Sequence, residues 1–212
     1  MKQVYNYWMP DTDTHFNKMI SKSVRKGGLP EYQYEIRDKA LSYVKDFSLC
    51  LDIGANVGLW SKPLSNHFSK VISFEPVDFI YECLLSNTDR SKVETHMIAL
   101  GDVDSTVNIV VDEQQTGNTG HNVVDTNSLG TGSVPIKRID DLNIPRMGLI
   151  KLDCEGYEIN VLRGGKETIL KYKPIIVIES ELKTSDTESL RWLRVNGAKE
   201  LCKIRKDYVF GW

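Results

Sequence analysis

"SLCLDIGANVGLWS" (residues 48–61) carries an apolar run, with Asp52 near its end, straight into a turn built on Gly54, Ala55, Asn56 and Gly58. "GLWSKPLSNHF" (58–68) follows at once, with Pro63 near its start, where a proline costs a helix least. This is the pattern of strand, glycine-rich loop and helix. In an α/β fold such a loop takes up the ligand, because glycines let the backbone approach it closely. The same rhythm repeats downstream. Short apolar runs at 71–74, 93–98, 149–152 and 175–178 read as further parallel strands covered on both faces. The segments 78–87, 157–172 and 185–197 read as crossover helices. The tail, 198–212, reads as two strands turning at 205–207, an antiparallel edge hairpin. The expected fold is therefore α/β, a doubly wound, mostly parallel seven-stranded sheet whose ligand lies beyond the carboxyl ends of the strands.

Three stretches depart from that rhythm. Residues 1–30 read as an N-terminal arm with a helix capped near Asp13 and stopped by Gly27 and Gly28. "EYQYEIRDKALSYVKDF" (31–47) reads as a second helix, opening a single domain over 31–212. Residues 105–142 carry two alternating runs around a Gly/Asn/Thr-rich middle, the pattern of an inserted hairpin and loop.

Composition narrows the class. The 212 residues suit one domain with a sizeable core, and the net charge of −2 gives no global field for nucleic acid or an anionic membrane. Cys50, Cys83, Cys154 and Cys202 are scattered, with no C-x-x-C pair, as expected of free thiols in a reducing compartment. No signal-peptide core opens the chain, and no run approaches the ~20 apolar residues of a membrane span. The expectation is a cytoplasmic protein.

The opening loop leaves two cofactor classes in competition. A dinucleotide site wants G-x-G-x-x-G, and "DIGANVG" lacks that spacing. Asp52 would repel a pyrophosphate, whereas it suits the α-ammonium of S-adenosylmethionine. The plain structural alternative is a capping acid with turn glycines. A second acid favours a nucleoside: Glu75 in "VISFEPVDF" (71–79), followed by Pro76, closes the next strand, where a carboxylate can accept hydrogen bonds from ribose hydroxyls. At the end of the third strand, "MIALGD" (97–102) brings Ala99 and Leu100 towards an adenine, with Asp102 as a candidate acceptor for its amino group.

Four segments together resemble the FkbM-type methyltransferase family, one of the S-adenosylmethionine-dependent, Rossmann-like class I methyltransferases. They are "LDIGANVGLWS", "VISFEPVDF", "IALGD" and the run 134–179, whose core is "IKLDCEGYE" followed by "VLRGG" and "KPIIVIE". The resemblance covers roughly residues 48–180. It implies transfer of a methyl group to a hydroxyl of a sugar, glycan or other small acceptor. It implies that Asp52, Gly54, Asn56 and Gly58 form the cofactor loop and that Glu75 is the ribose acid. Ala99 and Leu100 match the adenine side, and Asp153 matches the acid after the fourth strand.

Methyl transfer to an alcohol mainly needs alignment of the oxygen and a base for its proton. Asp153, Glu155 and Glu179 fall at the carboxyl edge of neighbouring strands, and His121 lies in the inserted loop. Asp153 is the candidate contact to the methionyl group or the incoming hydroxyl, with His121 or Glu179 assisting the proton. Glu155 alternatively caps the helix near Gly156, and Glu179 the helix after it. No metal is expected; Mg²⁺ on Asp153 and Glu179 is the alternative, which nothing in the spacing demands. Lys151, two residues before Asp153, points to the same side and suggests an ion pair. "YNYW" (5–8) reads as an aromatic lid, as an arm packed on the fold, or as a contact to a second copy in a homodimer. Other readings are methylation of nucleic acid or protein, cofactor binding without catalysis, and nicotinamide-dependent redox chemistry. The amino-methylating Asn/Asp-Pro-Pro-Tyr/Phe signature is absent after strand four, where "DCEG" stands.

Overall fold

The computed structural model describes residues 1–22, 31–111, 120, 122–180 and 187–212. The chain opens with a hairpin of β1 (Lys2–Val4) and β2 (Tyr7–Met9), then α1 (His15–Lys22) and α2 (Tyr34–Leu41). Next come β3 (Leu49–Ile53), α3 (Ser61–Leu64), β4 (Lys70–Phe74), α4 (Asp78–Asn87) and β5 (Val93–His96). A second, smaller sheet is inserted from β6 (Ala99–Leu100), β7 (Ser105–Val111), β8 (Asn122–Asp125) and β9 (Val134–Lys137). The main sheet resumes with β10 (Leu149–Leu152), α5 (Glu158–Gly164), α6 (Lys166–Tyr172), β11 (Ile175–Glu179), α7 (Glu188–Val195), β12 (Lys199–Ile204) and β13 (Asp207–Gly211).

The seven-stranded sheet has the order β12-β13-β11-β10-β3-β4-β5. All neighbours from β11 to β5 pair in parallel, and β13 runs antiparallel to both β11 and β12. The chain winds outward from β3 through β4 to β5, then crosses back to build the other half from β10. The switch point thus lies between the carboxyl ends of β3 and β10, where a doubly wound sheet opens a crevice. Alternation sets the two faces: Leu49, Leu51 and Ile53 enter the larger core, and Cys50 enters the opposite one with Trp60, Leu64 and Phe68.

Some boundaries differ from expectation for identifiable reasons. The strand expected over 93–98 ends at His96, and Ala99–Leu100 leaves to pair with Ile136 and Lys137 of the inserted sheet. The helix expected over 58–68 shrinks to α3, because residues 55–58 close as a turn, with Gly58 N–H donating to Ala55 O at 2.9 Å. The helix expected over 157–172 breaks at Gly165 into α5 and α6. Gly164 at the break passes so close to the inserted sheet that a Cβ would stand 1.7 Å from Gly101 O.

The N-terminal arm is an integral layer. Val4, Tyr7 and Met9 are buried with Ile80 and Cys83 of α4 in a third cluster. Asn87 of α4 accepts the Trp8 N–H at 2.7 Å and donates to Trp8 O at 2.8 Å and to Val57 O at 2.7 Å. Asp13 caps α1 by accepting the Phe16 N–H at 3.0 Å. Of "YNYW", Tyr7 faces inward, while Tyr5 and Trp8 are exposed. No described helix is long and apolar enough to cross a membrane.

Candidate active site

A cavity opens at the switch point. Its floor is the loop after β3: Gly54 and Ala55 both donate N–H to Phe74 O, at 3.1 and 2.9 Å, folding the loop over the end of β4. Gly54 has φ +72°, and a Cβ there would lie 1.8 Å from Asp153 O, so only glycine lets the two strand ends meet. Asn56 takes a left-handed turn (φ 49°), which an Asx side chain tolerates. Its N–H donates to Glu75 Oε2 at 2.9 Å, and Val77 N–H donates to Oε1 at 3.0 Å. Burial pushes the Glu75 carboxyl up to about 7 despite these two donors.

One end of the cavity is apolar, walled by Phe74, Ile98, Ala99, Leu100, Ile109 and Val124. The other end is ionic and hydroxylic: Asp153 and Glu155 follow β10, Glu179 ends β11, Lys206 lies in the β12–β13 turn, and Tyr32 precedes α2. Lys206 Nζ pairs with Glu179 Oε1, and Lys151 Nζ stands 3.4 Å from Asp153 Oδ2. Burial, then the Asp153 charge, raises the Glu179 carboxyl above its ordinary range, against the pull of Lys206. Burial together with the carboxylates of Asp153, Glu179, Asp207 and Glu155 drives the Tyr32 phenol far up, so it is neutral at physiological pH and can donate.

Gly54, Ala55, Asn56, Glu75, Pro76, Ala99, Leu100, Asp153 and Glu179 thus share one cavity, as the strand-end pattern implied. Asp52 does not join them. It lies below the strand end on the Cys50 face, beside Lys151, where it is 0% exposed. There Oδ2 accepts the Ser61 hydroxyl at 2.5 Å, Oδ1 has no hydrogen-bond partner among the described residues, and Lys151 Nζ lies 3.8 Å away. Its route to the cavity runs through Lys151, which also donates to Gly54 O at 2.9 Å. Gly58 sits against Leu84 and Thr88, away from the cavity. Asp102 is likewise off the lining and accepts from Asn160 Nδ2 at 3.4 Å. His121 lies outside the described residues.

Two capping expectations are also corrected. Glu158, not Glu155, organises the loop after β10: its Oε1 accepts the N–H groups of Cys154 and Gly156 at 2.9 and 3.1 Å. Glu155 is left in a left-handed turn (φ 50°) on the cavity wall. Thr187 caps α7, accepting the Leu190 N–H at 3.4 Å, so Glu179 is not a cap. Among the described residues no group of three or more His, Cys, Asp or Glu could hold a metal. Tyr32, Trp60, Tyr157 and Lys206 were not foreseen as cavity residues. Only "RKD" at 205–207, a charged turn beside the last strand, offered a signal for any of them.

A sheet that reverses at β3/β10, ends in an antiparallel strand and lines its crevice with strand-end carboxylates has the architecture of a class I methyltransferase. The chain belongs to the methyltransferase FkbM domain family, whose model matches residues 52–200. The chain is 27% identical over 169 residues to the hexuronic acid methyltransferase AglP of Haloferax volcanii, covering 75% of this chain and 67% of that protein. It is 27% identical over 146 residues to Methyltransferase 1 of Beauveria bassiana, covering 56% of this chain and 59% of that protein. In structure it resembles methyltransferase FkbM from Methylobacillus flagellatus (TM-score 0.50, 18% identity, 79% of this chain and 44% of that one). A precorrin-6y C5,15-methyltransferase from Geobacter metallireducens matches at TM-score 0.50 and 13% identity, over 92% of this chain and 96% of that one. The chain therefore spans less than two thirds of the Beauveria relative and less than half of the Methylobacillus chain. S-adenosylmethionine is the cofactor expected of this family.

Proposed function

We propose that this protein is an S-adenosylmethionine-dependent O-methyltransferase acting on a hydroxyl of a sugar, a glycan or a similarly small acceptor. One observation carries the reading: a single cavity joins an apolar end to a carboxylate-rich end across a buried glutamate that keeps acceptor capacity. Among the described residues each Glu75 oxygen takes one backbone N–H, leaving a lone pair on each for the two ribose hydroxyls. Ala99 and Leu100, with Ile98 and Phe74, offer the apolar slot an adenine needs. Asp153 and Glu155 offer anionic partners for the methionyl ammonium. The residues present therefore fit the cofactor.

When bound, the cofactor supplies an electrophilic methyl group on a sulfonium that needs no acid to leave. The protein's task is to hold an acceptor oxygen in line and take its proton. Glu179 and Asp153 are the carboxyls at the right end of the cavity for that, and Tyr32 can donate to an acceptor oxygen beside them. Desolvation raises the basicity of Glu179, which suits proton removal from an alcohol. The relative named for hexuronic acid methylation supports a sugar as the acceptor class.

The test is incubation with methyl-labelled donor and a panel of neutral sugars, uronic acids and glycan fragments, followed by mild alkali. Label that survives alkali is an ether on a hydroxyl, the expected product. Label released by alkali is an ester on a carboxylate and would overturn the hydroxyl reading.

A further inference from the structure

Glu179 and Asp207 occupy directly opposed positions in the antiparallel ladder of β11 and β13. Opposed residues project from the same face, so two carboxyls stand side by side where only 8% of the Glu179 side chain and 7% of Asp207 are exposed. Like charges so placed are unfavourable unless something neutralises one of them. The surroundings are asymmetric. Lys206, in the turn, pairs with Glu179. Asp207 instead receives the uncharged Gln33 amide, Nε2 to Oδ1 at 3.4 Å, and Gln33 is itself held by the Trp60 indole N–H at 2.7 Å. The other charged or titratable groups facing the pair are Asp153 and Lys151 from β10 and Tyr32 before α2, and Lys151 is already shared with Asp52. Lys206 thus contacts Glu179 directly and reaches Asp207 only through its field. The closer cation support falls on Glu179, and the hydrogen-bond partner of Asp207 is neutral.

We propose that Asp207 is a positioning residue for methyl transfer: it holds the one proton that the Glu179–Asp207 pair retains, which keeps Glu179 anionic and able to accept the acceptor's hydroxyl proton. The inference rests on the O-methyltransferase reading for its role and on the strand pairing for the shared proton. Burial and then the Glu179 charge push Asp207 up to about 7, in keeping with this division. Asp207 is absent from the cavity lining and acts only through Glu179.

Asp207→Asn fixes the neutral state of that position, which is the state Asp207 holds while Glu179 ionises. The acidic limb of the rate–pH profile is therefore expected to stay in place. Affinity for S-adenosylhomocysteine should be unchanged. The carboxyl ¹³C titration of Glu179, read by NMR without acceptor, should keep its main midpoint and lose the second, smaller step near pH 7 at which the wild-type Asp207 ionises. In Glu179→Gln the Asp207 titration should fall towards the ordinary aspartate range, and this variant decides if Asp207→Asn does not fold. A Glu179 midpoint that moves down in Asp207→Asn, or an Asp207 titration that stays near 7 in Glu179→Gln, overturns the inference. If the wild type transfers methyl to no acceptor, the reading of its function fails. The NMR titration still decides the shared proton.

Discussion

Replacing Lys151 by methionine isolates the ionic hub beneath the cavity. Lys151 is 6% exposed, donates to Gly54 O at 2.9 Å, and stands 3.8 Å from Asp52 and 3.4 Å from Asp153. Burial alone would pull this ammonium down, but the two carboxylates outweigh it and hold it above the ordinary lysine value. Without it, Asp52 keeps a single hydrogen bond, from Ser61, in a site with no water access. Removing one partner of a buried pair costs about 3–5 kcal/mol, and methionine fills most of the lysine volume, so little of the loss is cavity. For a chain of this size that corresponds to a melting point lower by about 6–20 °C.

The loss should also depend on pH. Burial already raises the wild-type Asp52 carboxyl above its unfolded value, and loss of the Lys151 charge raises it further. The extra cost is therefore absent while the carboxyl is protonated and grows as pH rises towards the folded-state value. The gap between wild type and Lys151→Met should therefore be widest near about pH 8 and shrink towards about pH 5. Adding Asp52→Asn should restore most of the stability, because neither buried charge is then left alone. Thermal and urea denaturation followed by circular dichroism read all three variants. A loss below about 1 kcal/mol, or one constant across pH, would refute the reasoning.

Three further outcomes are expected. Glu75→Gln should weaken S-adenosylhomocysteine binding about 10- to 100-fold by calorimetry, since hydrogen bonds to a charged group contribute about 1.5–3 kcal/mol. Gly54→Ala should cost at least about 1–3 kcal/mol of stability in urea, because it strains a φ of +72° and drives a methyl into Asp153 O. Burial also raises Glu75 and Asp207 to about 7, from 4.5 and 3.8. Each then contributes stability that is fully present below its unfolded value and lost as pH rises through about 7. Urea stability should fall across that window, and less steeply in Glu75→Gln, when measured at intervals of about half a pH unit.

The sheet was readable because parallel strands covered on both faces write themselves as short unbroken apolar runs. The runs at 49–53 and 149–152 coincide with β3 and β10. Strand-end carboxylates were readable for the same reason: Glu75 and Asp153 directly follow the runs at 71–74 and 149–152. Asp52 stays out of the cavity by depth and not by face: it shares a face with Lys151, but it sits before the strand end, where Ser61 and Ser73 close over it. Gly58 and Asp102 match a motif in sequence but answer packing in space. What stayed hidden depends on contacts distant along the chain. Gln33 meets Asp207 across 174 residues, and Tyr32 enters a cavity built by strands that begin much later. The recruitment of Glu158 by two backbone N–H groups likewise follows from how the loop after β10 bends.

The central claim is that the cavity grips an adenosyl group through Glu75. A crystal structure with S-adenosylhomocysteine bound tests it most directly. The account predicts both ribose hydroxyls on the Glu75 carboxylate, adenine against Ala99 and Leu100, and the amino-acid moiety turned towards Asp153. A ligand that leaves Glu75 without a ribose contact, or settles outside this cavity, would contradict it.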